Sequence, residues 1–561
     1  MIGVLSKENE APIVEEFFQL FKTPWEFYAP GRDYDVLLSN QNEVLGEDFK
    51  LRVIYGSNIS HFDLGRKISI QSKYRRAFVD YKGTEIPIYG NLLTFEGEGE
   101  PILKVKGGSE VAGLKIERSE KKIILLGYNL FEEIYFLLSV GQPVGNASTP
   151  TLEAHISLLR NLITDAGIPL VEIPPAPAGY DFITCLSHDI DFLGIRNHKL
   201  DQTMLGFLYR ASIGSLSGVF KKKLPVNKLI KNWKAILNLP FVYAGLSKDF
   251  WHQIDKYTEI EKDTKSTFFL IPFKDQPGDN IPKHNARRRA TKYDISNMDG
   301  IAKKLVEKGF EIGVHGIDAW HSLEKSRQEL NQIVEFCKGQ EIGVRIHWLC
   351  LNNNSYQILE EAGFTYDSTF GYNDAVGYRG GTVQVFKPLN TKNLLEIPLH
   401  IQDTALFYPR RMNLSEGKAM EWCEKLIQNA KSFGGVLTIL WHDRSLAPER
   451  LWGDFYINLL EEIKGNKVWF ATAGEIVSWF RRRREVTFEN VEIDNNKIKL
   501  SFKYEYDRLG QTKEPFVFVR IYHPKLRKSN EQNSLLPGSG YMDIPLKGKT
   551  SYEINLNALN P

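Results

Sequence analysis

The sequence predicts an α/β protein whose centre is a distorted (β/α) barrel, preceded by an α/β accessory domain and followed by a β-sandwich-like domain. Three observations predict this. Between Asp181 and about Phe480, short unbroken apolar runs alternate with amphipathic helical stretches, the pattern of strands buried in a parallel sheet. Beyond Val486 the apolar residues alternate in period two, as half-buried strands do. At 561 residues the chain also exceeds what one core can fill, so several domains are expected.

Residues 1–170 form the accessory domain. Pro12 opens a helical spacing of Ile13, Phe17, Phe18 and Phe21, and β-like runs follow at 36–38, 51–55 and 86–89. A further helix is expected at 155–163, and no catalytic constellation stands out. Pro169, Pro174, Pro175 and Pro177 make 169–180 a stiff linker. The barrel occupies 176–484, with strands at 182–186, 267–271, 311–314, 436–440 and 468–471 and helices at 298–308 and 323–337. Arg481, Arg482, Arg483 and Arg484 read as a solvated helix end, favourable to the macrodipole. The last domain, 485–561, has strands at 497–502, 516–522 and 552–556, with turns at 494–496 and 537–538.

Composition narrows the function. A net charge of +2 argues against a nucleic-acid binder of the electrostatic kind, and 25% charged with 42% hydrophobic residues describes a globular chain. Cys185, Cys337, Cys350 and Cys423 lie in or beside apolar segments without CxxC spacing, so they read as reduced core residues, which suits the cytoplasm. The first eight residues lack a basic and then apolar leader, and the best apolar window, 123–140, is broken by Glu132 and Glu133. Neither a signal peptide nor a membrane span is expected.

The chemistry concentrates at strand tips. Ser187-His188-Asp189-Ile190-Asp191 ends an apolar run and places two carboxylates on one face, where they repel unless a cation or shared proton relieves them. Glu311-Ile312-Gly313-Val314-His315 delivers an imidazole at another tip, with His321 six residues on. Arg345-Ile346-His347-Trp348 carries an arginine, an imidazole and an indole, and Leu440-Trp441-His442-Asp443 ends a third apolar run with a histidine. In a parallel sheet such tips gather on one rim.

In this order, over about 300 residues, these segments resemble the polysaccharide deacetylases of carbohydrate esterase family four, the NodB-homology domain. Asp189-Ile190-Asp191 resembles its first motif, 311–315 its approach to the metal histidines, Arg345 to Trp348 its Arg-x-Pro-aromatic motif, and Leu440-Trp441-His442 its closing Leu-x-His. The resemblance implies a metal-dependent hydrolase that removes an acetyl group, N-acetyl above O-acetyl, from a sugar or glycan precursor. It implies Asp189 as general base, His442 as general acid, and Asp191 and His315 as metal ligands. The metal would be zinc, with cobalt or nickel suited by the same ligand logic. Trp348 would lend its backbone N–H to the oxyanion, Arg345 would shape that side of the groove, and Asp367 would orient His442. A buried arginine is expected beside the base, with Arg287, Arg288 and Arg289 as candidates.

The sequence departs from this pattern at two places. Where a second histidine is expected one helical turn after His315, the residue is Ala319. His321 is therefore the expected third ligand, with Asp318 as its rival. His347 stands where the motif has proline. Two other functions stay open: a glycan-binding protein on a disabled deacetylase fold, and a hydrolase of a non-sugar amide C–N bond.

A long insert near 196–260 separates the first motif from the next strand. Within 196–234 nine Lys or Arg face a single acidic residue, Asp201, and Met204, Leu205, Phe207, Tyr209, Phe220 and Ile230 are interleaved with them. Such a segment could lie on an anionic bilayer, grip a lipid-linked sugar, or simply cap the active site.

Overall fold

The computed structural model describes residues 1–39, 49–56, 68–118, 121–222, 224–280, 288–337, 341–493, 497–504, 515–526 and 540–555. Arg287 and both predicted C-terminal turns lie outside the described residues.

The first domain is built on one mixed sheet of β1 (Ile2–Leu5), β2 (Trp25–Phe27), β3 (Val36–Ser39), β4 (Leu51–Tyr55), β5 (Ser69–Tyr81), β6 (Thr84–Glu96), β7 (Glu100–Val105), β8 (Val111–Arg118) and β9 (Lys121–Leu126). Their order is β2-β1-β3-β4-β9-β8-β6-β5-β7, parallel as far as β9 and antiparallel beyond it. Helix α1 (Ala11–Phe21) starts on Pro12 and buries Val14, Phe17, Phe18 and Phe21. It packs with α2 (Leu130–Ser139) and α3 (Thr151–Asp165) in the core of this domain.

The expected linker, 169–180, opens with a short strand. β10 (Leu170–Glu172) pairs antiparallel with β22 (Phe518–Tyr522) of the last domain. The triplet Leu170-Val171-Glu172 satisfies its backbone in a sheet rather than in water. The arginine run is likewise not solvated. Arg483 is 1% exposed, and its guanidinium donates to the carbonyls of Gln19, Leu20, Ile173 and Pro174. Arg484 pairs with Glu16 of α1, and Arg481 with Glu341. One helix end (Ala473–Glu485) thus clamps the first domain, the linker and the barrel together.

The barrel sheet runs β16-β15-β14-β13-β12-β11-β18-β17, every pair parallel. Its strands are β11 (Phe182–Ile190), β12 (Ser266–Leu270), β13 (Glu311–Gly316), β14 (Gly343–Ile346), β15 (Tyr366–Asp367), β16 (Leu395–Glu396), β17 (Ile401–Gln402) and β18 (Val436–Leu440). β19 (Val468–Phe470) joins β11 at its start. The connectivity forces this sheet to curl. Its edge strands β16 and β17 are joined through residues 397–400, a reach of about 17 Å from Glu396 to Ile401 when fully extended. Laid flat, eight strands would hold those edges about 34 Å apart. A distorted, open barrel is the result.

Past Val486, β20 (Thr487–Ile493), β21 (Lys497–Lys503) and β24 (Ser551–Asn555) form one antiparallel sheet. β10, β22 and β23 (Tyr541–Pro545) form the other, and Ile498, Leu500, Phe502, Val519 and Ile521 fill the space between barrel and sandwich. The insert after β11 folds as helices α4 (Gln202–Tyr209), α5 (Ser215–Phe220) and α6 (Val226–Tyr243), with a π-helical turn over Arg210–Gly214. Among the described residues no helix is long and apolar enough to cross a membrane.

Candidate active site

Parallel pairing brings the carboxyl ends of β11, β13, β14, β17 and β18 to one rim, and each carries a chemical side chain just inside or just past its last residue. Asp189 lies at the end of β11 and Asp191 just past it; His315 lies on β13; Arg345 lies on β14 with His347 two residues on; Asp403 follows β17 and His442 follows β18. Close strand approach is built into the sequence. A Cβ at Gly343 would sit 1.9 Å from the ring of Tyr366, so only glycine lets β14 lie against β15.

Asp191, His315 and His347 converge. His347 Nδ1 is 2.9 Å from His315 Nε2, and each of these nitrogens is 3.3 Å from Asp191 Oδ1. His315 Nδ1 lies 2.9 Å from the carbonyl of Arg345, which places its proton there and leaves the Nε2 lone pair facing the group. Burial drives the His347 ring down to about 4, against the pull of Asp191, so it is neutral and also carries a lone pair. Burial alone would favour protonated Asp191, but His347, His315 and His442 hold it well below the usual carboxylate range. Its Oδ1 is buried with no hydrogen-bond partner.

This donor set fits a divalent cation. Three donors bonded at about 2.0–2.1 Å in a tetrahedral centre lie about 3.3 Å from one another, and the observed separations are 2.9, 3.3 and 3.3 Å. One carboxylate and two imidazole nitrogens leave a fourth position open.

His321 is not in this group. Its Nε2 pairs with Asp318 Oδ1 at 2.9 Å, and Asp318 is further held by Lys325 at 2.9 Å and by the Asp279 N–H at 3.1 Å. The residues after His315 form a turn leading to the helix Leu323–Val334, and Glu329 of that helix accepts the N–H groups of Ile317 and Asp318. The loop is thereby tied away from Asp191. The third donor of the group is His347, from the next strand; the imidazole at that tip was visible in the sequence, but its direction was not.

Asp189 lies 2% exposed beside the group, with Oδ2 3.8 Å from His315 Nε2. Arg345 is wholly buried and donates to Asp189 Oδ1 at 3.1 Å, to Ser187 Oγ at 2.7 Å and to Ser368, over the ring of Phe269. It is therefore the arginine that holds Asp189, not a groove wall. Arg289, also buried, instead donates to the carbonyls of Pro277, Ile317 and His347, and Arg288 is exposed.

His442 also faces the group, with Nε2 3.9 Å from Asp191 Oδ2. Asp403, not Asp367, orients it: Asp403 Oδ1 lies 2.6 Å from His442 Nδ1, and Oδ2 accepts the His442 N–H at 2.8 Å. Burial favours the neutral ring, but the Asp403 carboxylate outweighs it and lifts His442 to about 9. Asp367 points elsewhere. It accepts from Thr369 at 2.5 Å and shares a buried pocket with Glu396, where burial pushes Asp367 up to about 6 and holds Glu396 well above the usual carboxylate range. Asp403 left no sequence signal because β17 is two residues long, too short for any periodicity.

Trp348 closes the rim at 36% exposure, in the left-handed region at φ 66°, followed by Leu349 at φ 52°. Two successive side-chain-bearing residues in that region cost of order 1–3 kcal/mol each and are held only where the surroundings impose them. A cavity of about 590 Å³ lies elsewhere, between the first and last domains beside Lys22, Trp25 and Phe488.

No family model matches this sequence, and no curated protein matches it. Solved structures do. Agd3, a carbohydrate deacetylase, aligns over 99% of this chain and 98% of its own at 6% identity and a TM-score of 0.39. Puue allantoinase aligns over 55% and 92% at 16% identity and a TM-score of 0.32. A polysaccharide deacetylase from Bacillus cereus aligns over 40% and 86% at 13% identity and a TM-score of 0.24. Likeness at this level carries no chemistry across, which must come from the side chains themselves.

Proposed function

We propose that the protein hydrolyses an N-acetyl group on a sugar or glycan precursor. The observation that supports this best is a pair of groups: a carboxylate fixed by Arg345 and an imidazolium fixed by Asp403 both stand within 4 Å of a three-donor group. Amide hydrolysis needs a base for water and an acid for the leaving nitrogen, both at once.

Asp191, His315 and His347 would hold a divalent cation, which supplies Lewis-acid activation of water and of the acyl oxygen when bound. Asp189 takes the proton of the attacking water as its oxygen bonds to the acetyl carbon. The Arg345 guanidinium keeps that carboxylate in place until it does so. The backbone N–H of Trp348, set by its left-handed turn, is the proposed donor to the developing oxyanion. As the C–N bond breaks, His442 Nε2 gives its proton to the amine nitrogen, and acetate and free amine leave. The half-exposed Trp348 indole offers a flat apolar face against which a sugar ring can rest. A disabled, glycan-binding fold was suggested by the absent donor at Ala319; with His347 in reach, that donor is not needed.

Acetate release from N-acetylglucosamine oligosaccharides, compared with a panel of non-sugar amides, tests the reading. Asp189→Asn and His442→Ala should each lower kcat by about 10²–10⁴-fold. Unchanged turnover in Asp189→Asn would overturn the assignment of the base. Turnover of the amide panel alone would move the substrate class and keep the chemistry.

A further inference from the structure

Half of the exposed large apolar side chains among the described residues fall between Leu200 and Leu246. They are ordered. On α6, Val226, Ile230, Trp233, Leu237 and Phe241 lie within about 100° of arc at 100° per residue, while Asn232, Ala235, Leu239 and Val242 lie on the opposite side. The second set is buried against the protein; the first faces solvent, with Leu237 at 74% and Trp233 at 47% exposure. The segment α4–π turn–α5 repeats the arrangement, with Leu205, Tyr209, Ile213 and Phe220 outward and Met204, Phe207 and Ala211 inward. Two adjoining helices thus each carry a second apolar face that the chain leaves uncovered.

Charge surrounds these faces. Lys199, Lys221, Lys222, Lys231, Lys234 and Lys248 are exposed and make no ion pair among the described residues. The one acidic side chain of the segment, Asp201, is turned inward to His198 and to the start of α4. An apolar stripe edged by free lysines is the makeup of a helix that lies in the interface of an anionic bilayer.

The platform is also fastened to the site. The Glu449 N–H donates to Asn232 of α6 at 2.7 Å, Glu449 pairs with Arg210, and Arg444 stacks on Phe192 and Trp251. The segment holding Arg444 and Glu449 leaves β18 directly after His442. Whatever the platform rests on therefore lies against the rim that carries the donor group.

We propose that α4–α6 dock the protein peripherally on an anionic lipid surface, with the active-site rim toward the headgroups. A second copy of the chain fits worse, because a two-fold pairing of this face would set the same lysines against one another.

Co-sedimentation with phosphatidylcholine vesicles, with and without phosphatidylglycerol, tests this without reference to any enzymatic activity. The wild-type chain should pellet with the anionic vesicles and shed from them in high salt. Leu237→Gln with Phe241→Gln should abolish pelleting, and Lys231→Glu with Lys234→Glu should weaken it by at least about tenfold. These positions are exposed, and unchanged thermal unfolding by circular dichroism would show that the variants fold. A wild-type chain that pellets with neither vesicle overturns the proposal. So does a wild-type dimer that Leu237→Gln with Phe241→Gln converts to monomer, which would make a second copy the occupant.

Discussion

Replacing His347 by Ala takes away a nitrogen 2.9 Å from His315 Nε2 and 3.3 Å from Asp191 Oδ1, leaving two protein donors where three converge. Loss of a hydrogen bond that merely supports a ligand weakens a cation by about 10–100-fold, so loss of the ligand itself should reach at least the upper figure. With free zinc at about 100 times its Kd, the wild-type protein gains about 2.7 kcal/mol from binding. A site 100-fold weaker then sits near half saturation and gains about 0.4 kcal/mol. The difference, about 2.3 kcal/mol, amounts to roughly 5 °C in the unfolding of a domain this size. Elemental analysis and thermal unfolding with and without zinc read both quantities. His321→Ala serves as the comparison, since Asp318 keeps Lys325 when that ring is gone. Retained cation in His347→Ala with loss in His321→Ala would refute the assignment and restore the ligand expected from sequence.

Three further outcomes follow from the same contacts. Asp403→Asn removes the charge that lifts His442 to about 9, so the basic limb of the pH–rate profile should move below 7. Because the folded pKa of His442 is raised, the stability it contributes is whole below about 6.5 and is lost as pH climbs through about 9, and Asp403→Asn should flatten that loss in denaturant titrations at several pH values. Arg345→Met leaves Asp189 buried without its cation partner, and urea unfolding should show a cost of about 3–5 kcal/mol together with loss of turnover. Arg483→Met strips four carbonyls of a charged donor, and should cost about 3 kcal/mol or more while opening 169–180 to proteolysis.

The barrel was legible because its central strands are buried on both faces. Residues 182–186 and 436–440 are apolar runs that no amphipathic helix would show, and parallel pairing then dictated that their carboxyl ends meet. What escaped the sequence was decided by contacts across the sheet. β15, β16 and β17 are two residues each, so neither Asp403 nor the pocket of Asp367 and Glu396 had a periodic frame around it. The arginines at 481–484 carry the pattern of a solvated helix end, and only the packing of three domains on one another turns Arg483 inward. His321 sat at a spacing that geometry allowed; the pull of Asp318, one turn back, decided otherwise.

The tip of β14 explains why the third donor arises there. Arg345 sends its side chain inward to Asp189 while its carbonyl accepts from His315 Nδ1, and two residues later His347 turns its own Nδ1 to Asp191. One strand end therefore fixes Asp189, the tautomer of one donor and the position of another. A strand cannot continue straight after doing so, because alternation would send His347 to the same face as Arg345 and on along the sheet. The chain instead breaks into a turn, and the left-handed Trp348 and Leu349 are where that break is absorbed. On this account Trp348→Gly should relax the backbone without loosening the donor group. Zinc content and the midpoint of thermal unfolding should hold or rise, while the Michaelis constant for an acetylated sugar should rise for want of the indole. A fall in zinc content in Trp348→Gly would show that the indole, not the strand end, holds His347 in place.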